Sequence, residues 1–201
     1  CSSDLFLGKA EIKAIKCFWD PALSKANGDN SVLSIAMCDK QGNIYLHRTY
    51  DIVGDANEQC RRVKDLLVQH KLPYVRIETN GVGAFLPQLL LQEVRGLEIA
   101  VDGKATTKNK SDSILQAFET PISGRFIYVH EQVMKTKFVQ QMKDFNPRFM
   151  RGKDDFIDAG AKVIELLPIR FGSMPGNQVE GFKSFRPAGE TIDVQREYMT
   201  M

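Results

Sequence analysis

β-branched and aromatic residues dominate three early stretches of the chain, residues 11 to 19 (EIKAIKCFW), 31 to 38 (SVLSIAMC) and 43 to 53 (NIYLHRTYDIV), with the polar clusters NGDN and DKQGN between them. That composition suits pleated strands punctuated by turns. Only Asp39 to Gly42 separates the second from the third, which predicts an antiparallel hairpin. The period then changes. In residues 57 to 71 (NEQCRRVKDLLVQHK) the positions Cys60, Val63, Leu67 and Val68 recur near helical spacing, with Asn57 placed to cap and Pro73 to stop. YVRIE at 74 to 78 predicts a short strand, Asn80, Gly81 and Gly83 a turn, and 84 to 95 a second helix, so the order opens β-β-β-α-β-α.

Further along, LEIAV at 97 to 101 predicts a strand and a polar basic run, GKATTKNKSDS, leads to a helix around 113 to 119. RFIYVHEQV at 125 to 133 reads as a strand, 134 to 143 as a helix, and 154 to 167 (DDFIDAGAKVIELL) as a longer helix with a charged start. From Pro168 onward glycines and prolines recur without sustained periodicity, so 1 to 167 is expected to be the domain and 168 to 201 a tail or arm. No internal repeat interrupts this order.

Two hundred and one residues with 43% hydrophobic and 26% charged side chains can bury a core. The formal charge of only +2 excludes a globally basic protein of the histone type, so a polyanion has to be met by a local patch. AFLPQLLL at 84 to 91 is broken by Pro87 and falls short of the ~20 residues of a membrane span, which predicts no membrane partner. Cys1, Cys17, Cys38 and Cys60 form no CxxC pair and read as reduced thiols of a cytoplasmic protein. A chain that opens on Cys1 and enters strand-like sequence almost at once is expected to be the excised C-terminal domain of a longer protein.

In an α/β layout ligands gather at the carboxyl ends of strands, and acidic residues stand at those places. Asp20 ends the first strand, Glu78 ends the fourth, and Asp154, Asp155 and Asp158 open the last helix, where a step of three puts Asp155 and Asp158 on one face. Each has a plain alternative as a turn residue, a solvated strand end or a helix cap. Small Ala159, Gly160 and Ala161 after Asp158 would let that helix lie close against a sheet. Carboxylates converging from two strand ends and a helix start are what hard divalent cations require, since a bimetal site ~3.5 to 4 Å across needs several negative oxygens.

The Asp of FWDPA, the Glu of VRIETNGVG, the DDFIDA helix start and the stretch KNKSDSILQAFETPISGRFIYV together resemble the nuclease domain of the large terminase subunit of tailed bacteriophages and prophages. The resemblance covers about residues 12 to 167. It implies a ribonuclease H-like α/β fold, a mixed central sheet with antiparallel first three strands flanked by helices. It also implies an endonuclease that cuts double-stranded DNA with little sequence preference, using two Mg²⁺ or Mn²⁺ ions held by Asp20, Glu78, Asp155 and Asp158. Lys153 stands where a His often precedes the paired Asp, and the choice between Asp155 and Asp158 as principal third ligand stays open. The terminase ATPase domain, the small terminase subunit and the portal are the protein partners the family implies, and the host cytoplasm its location. A junction resolvase or RNase H-type nuclease of the same fold, or a non-catalytic DNA- or capsid-binding module, are the alternatives.

No GxxxxGK[ST] occurs, so this chain carries no ATPase phosphate loop. His47, His70 and His130 lack HxxH spacing and read as strand or surface residues. Residues 101 to 153 hold ten basic against five acidic side chains. Lys104, Lys108, Lys110, Arg148, Arg151 and Lys153 are therefore the candidate phosphate contacts, with a solvated charged face as the plain alternative.

Overall fold

The structure, a computed structural model, describes residues 10–23, 30–148, 153–169 and 198–200. Strands β1 (Ile12–Asp20), β2 (Val32–Asp39) and β3 (Ile44–Asp51) pair antiparallel in sequence, with Asp20 opposite Val32 and Val32 opposite Asp51. β4 (Tyr74–Glu78) adds parallel to β1, and β5 (Ala100–Lys104) adds parallel to β4. On the other side β6 (Ile127–His130) runs parallel to β3, and β7 (Tyr198–Thr200) pairs antiparallel with β6. The order β5-β4-β1-β2-β3-β6-β7 is a mixed sheet with the antiparallel start that the sequence predicts.

Side chains of a strand alternate between faces, and the sheet uses both. Phe18, Val32 and Leu46 face a core closed by helices α3 (Lys110–Ser123) and α6 (Asp155–Glu165), through Ile114, Phe118 and Ile157. Trp19, Leu33 and Ile35 face the opposite core under α1 (Ala56–Gln69) and α2 (Leu86–Glu93), through Cys60, Leu66 and Leu90. β2 is buried along its whole length, which explains its nearly unbroken apolar run. Buried Trp19 donates its indole N–H to Ser31 Oγ at 2.9 Å. Cys17, Cys38 and Cys60 are buried free thiols, and no helix among the described residues is long and apolar enough to cross a membrane.

Several boundaries differ from expectation. α1 is capped by Asp55, not Asn57: Asp55 accepts from the Glu58 N–H and Glu58 returns a bond from the Asp55 N–H, both at 2.9 Å, a reciprocal box that Asn57 cannot make. A 3₁₀ turn over Gly81–Phe85 delays α2, and β5 begins at Ala100, three residues later than predicted. Gly103 and Lys104, poor strand formers, are recruited by parallel pairing with Ile77 and Glu78. The helix expected over 134 to 143 is two, α4 (Glu131–Met134) and α5 (Phe138–Asp144). Thr136 divides them, donating its hydroxyl to Val133 O and accepting from the Phe138 N–H. α3 starts three residues before and ends four residues after its predicted span, with Pro121 tolerated near its end.

α6 is buried over Asp155 to Ile164 and packs on β1, β2 and β3. A Cβ on Gly160 would stand 3.0 Å from the Phe138 ring, so the small residues admit α5 as closely as the sheet.

Candidate metal centre

β1 and β4 are parallel neighbours with Trp19 beside Ile77, so the next residue of each strand, Asp20 and Glu78, ends the pair side by side. α6 crosses that end of the sheet and contributes Asp158 from its first turn. One carboxylate oxygen from each of Asp20, Glu78 and Asp158 lies within 4.8 Å of the others. They line a cleft of about 310 Å³.

Three acids this close repel one another unless a cation joins them. Burial, then the charges of Glu78 and Asp158, push Asp20 up to about 8. Burial pushes Asp158 up to about 6, against the opposing charges of Lys110 and Lys162. Glu78 Oε2 and Asp158 Oδ1 are buried without a hydrogen-bond partner, a costly state for a carboxylate oxygen. Glu78 Oε1 accepts from Asn80 Nδ2 at 2.7 Å. Hard anionic oxygens with unspent lone pairs fit a Mg²⁺- or Mn²⁺-type ion.

The predicted residues do not all gather equally. Asp155 lines the same cleft but stands outside the close trio, its Oδ2 accepting from Asn30 N and Nδ2 at 2.9 Å each. Asp154, at the N-cap position of α6, makes no side-chain cap bond; it pairs with Lys110 at 2.6 Å. Lys110 also reaches Asp158 Oδ2 at 3.4 Å, and although burial opposes its charge, these acids hold its pKa up. Lys108 lines the cleft and pairs with Glu165 at 3.5 Å, while Lys104 lies beside Glu78 on the edge strand β5. Arg148 and Lys153 are exposed, and Arg151 lies outside the described residues.

Three cleft residues escape the sequence reading. Lys162 is 6% exposed and follows Asp158 by one helical turn, a spacing that could have marked it. Asn80 bonds Glu78 and also exchanges hydrogen bonds with the backbone of Thr106, clipping the β5–α3 loop to the cleft. Asn30 ends the polar NGDN cluster two residues before β2, a sequence context in which an Asn carries no distinguishing signal.

A mixed sheet that presents carboxylates at the ends of two adjacent parallel strands, with another from a helix laid across them, defines the ribonuclease H-like class. The terminase RNaseH-like domain family matches residues 17–166, and the chain belongs to that family. Among solved structures, the nuclease domain of the large terminase subunit gp2 of bacterial virus Sf6 superposes with a TM-score of 0.56 at 14% identity, covering 81% of this chain and 92% of that one. Its K428A mutant with manganese gives 0.55 at 13% identity, and the same mutant with calcium 0.56 at 14%, with the same coverage. At such identities the likeness is one of fold. No curated protein sequence matches the chain significantly.

Proposed function

We propose that this chain is a metal-dependent endonuclease of a phage or prophage DNA-packaging motor, cutting double-stranded DNA with little sequence preference. The observation that carries the reading is the trio Asp20, Glu78 and Asp158 with two buried, unpartnered oxygens inside it. Mg²⁺ or Mn²⁺ bound there would supply Lewis-acid chemistry, making water acidic enough to attack a phosphodiester and offsetting charge on the departing 3′ oxygen.

The chain's own residues do the rest. Asp20, Glu78 and Asp158 would hold one ion, and Asp155, on the same helix as Asp158, would serve a second. Lys110 keeps the acidic cluster compact by pairing with Asp154 and Asp158. Lys104 and Lys108 stand beside the cleft, with Arg148, Arg151 and Lys153 as further candidates for the phosphate track. Phosphate contacts position a duplex without reading its sequence, which suits a cutter of packaged DNA. The ATPase domain, the small terminase subunit and the portal are its proposed partners, in the cytoplasm of a bacterial host.

The test pairs calorimetry with plasmid nicking. The parent chain takes up Mn²⁺ and nicks plasmid in its presence. Asp20→Asn loses nicking by more than 100-fold, the scale of a lost metal ligand, yet melts no lower than the parent without metal, because the native environment already favours the neutral side chain. Undiminished Mn²⁺-dependent nicking by Asp20→Asn would refute the assignment.

A further inference from the structure

Asp155 is 4% exposed and brings a fourth carboxyl group into a cleft that already holds Asp20, Glu78 and Asp158. Its Oδ2 takes two N–H groups from one residue, the main-chain N and the side-chain Nδ2 of Asn30, both at 2.9 Å. Two charge-assisted bonds on a single oxygen fix the plane of a carboxylate. We infer that Asn30 is a positioning residue which holds Asp155 for the second metal ion, and that Lys137 selects the end of the Asn30 amide that faces it. The inference rests on the proposed metal-dependent activity.

An Asn side chain presents a donor at one end and an acceptor at the other, and only the donor end can meet a carboxylate favourably. Lys137 makes the choice: its ammonium, which has no acceptor, lies 3.0 Å from Asn30 Oδ1, so Nδ2 is left for Asp155. Lys137 is itself held on two sides. Asp51 Oδ2 lies 3.8 Å from its Nζ, and the ring of Phe156, the residue after Asp155, lies 5.8 Å beneath it. The contacts thus run from the start of α5, through Asn30 two residues ahead of β2, to the first turn of α6. None of them involves the trio. Asn30 can therefore act on one carboxylate of the centre and leave the other three unaltered.

Metal binding separates this role from a general contribution to folding. Mn²⁺ is titrated calorimetrically into the full chain, into Asn30→Ala, Asp155→Ala and the double variant, with thermal melts alongside. The parent binds two ions, and Asp155→Ala loses the weaker. Asn30→Ala weakens that ion about tenfold, the lower end of what an outer-sphere hydrogen bond contributes to metal affinity, and leaves the tighter one unchanged. In the Asp155→Ala background the Asn30 change adds nothing further, as a residue acting only through Asp155 must. Lys137→Met, at an exposed position, gives a smaller loss at the same ion and serves if Asn30→Ala melts early. Equal weakening of both ions, persistence of the Asn30 effect without Asp155, or unchanged affinities in both Asn30→Ala and Lys137→Met would overturn the inference alone. A parent chain that takes up no Mn²⁺ would overturn the metal reading and this inference together.

Discussion

Lys110 Nζ lies 2.6 Å from Asp154 Oδ1, so the first residue of α3 is bonded across the cleft to the residue that opens α6. The carboxylate best placed to cap α6 is thereby turned from the helix N–H groups to a cation. The same ammonium stands 3.4 Å from Asp158. It offsets part of the charge that the acidic cluster concentrates.

Replacing Lys110 by Met leaves Asp154 and Asp158 without that cation. The side chain is 39% exposed, so solvent screens the loss and the metal-free domain should fall by only about 1 kcal/mol. Mn²⁺ should then raise the melting temperature of Lys110→Met more than that of the parent, since the ion supplies the missing charge. Melts with and without Mn²⁺ check this, and an equal metal-induced rise in both proteins would contradict it.

Acid should remove a histidine contribution to stability, opposite in sign to that of Asp20 and Asp158, whose carboxyls the native chain protonates more readily than the unfolded one. Burial, then the charge of Arg48, pushes His47 down to about 3 and His130 down to about 4. Arg48 donates to His47 Nδ1 at 3.2 Å and the Gln132 N–H donates to His130 Nδ1 at 3.0 Å, so each ring already accepts where a proton would bind. The unfolded chain takes these protons near pH 6.5 and the native one does not, so it binds more protons between about 4 and 6.5. The histidine contribution is therefore complete above that window and falls as pH drops through it, by on the order of 1 kcal/mol per ring at pH 5.5. Urea melts of the parent and of His47→Leu at pH 7 and 5.5 isolate it: the change in stability between the two pH values should be more favourable in the variant by about 1 kcal/mol.

Lys104 and Lys108 changed together to Ala should weaken binding to unrelated duplexes equally. Each lost phosphate contact lowers the log–log salt slope by roughly 0.9. Lys110, engaged with two acids, is left out of this pair. Fluorescence titrations at several salt concentrations give the slope, and an unaltered value would place the duplex elsewhere.

Gly83→Ala should disturb the metal centre without touching an acid. A Cβ there would meet Glu78 O at 2.7 Å and Pro21 Cγ at 3.1 Å, the backbone of one candidate ligand and the neighbour of another. Overpacking of this kind costs ~1 to 3 kcal/mol. Denaturant melts should show that loss together with weaker Mn²⁺ uptake, and retention of both would contradict the close packing.

The acids were legible in the sequence because their positions are set by local pattern: Asp20 and Glu78 close strands, and Asp158 follows Asp155 at helical spacing. Their supports were not. Asn30 and Asn80 belong to polar, glycine-containing sequence stretches, where asparagine is common for reasons unrelated to catalysis, and only the folded chain shows their amides bonded to Asp155 and Glu78. The histidines were invisible as a group for the same reason. β3, the residue after α1 and β6 bring their rings together, His47 lying 5.9 Å from His70 and 5.3 Å from His130. β5 was misplaced because Gly103 lacks strand propensity, yet its missing side chain is what the packing of α2 against this edge strand needs, since a Cβ would stand 2.7 Å from Pro87.

The trio draws Asp20 from β1, Glu78 from β4 and Asp158 from α6, and α6 seats on the three antiparallel strands only after nearly all of the sheet has been made. A ribosome releasing this chain from its N-terminus therefore exposes the first two acids long before the third exists. A half-synthesised polypeptide holds strands and basic loops but no complete cutting centre. The proposed DNA-cutting activity is thus withheld until synthesis has passed α6.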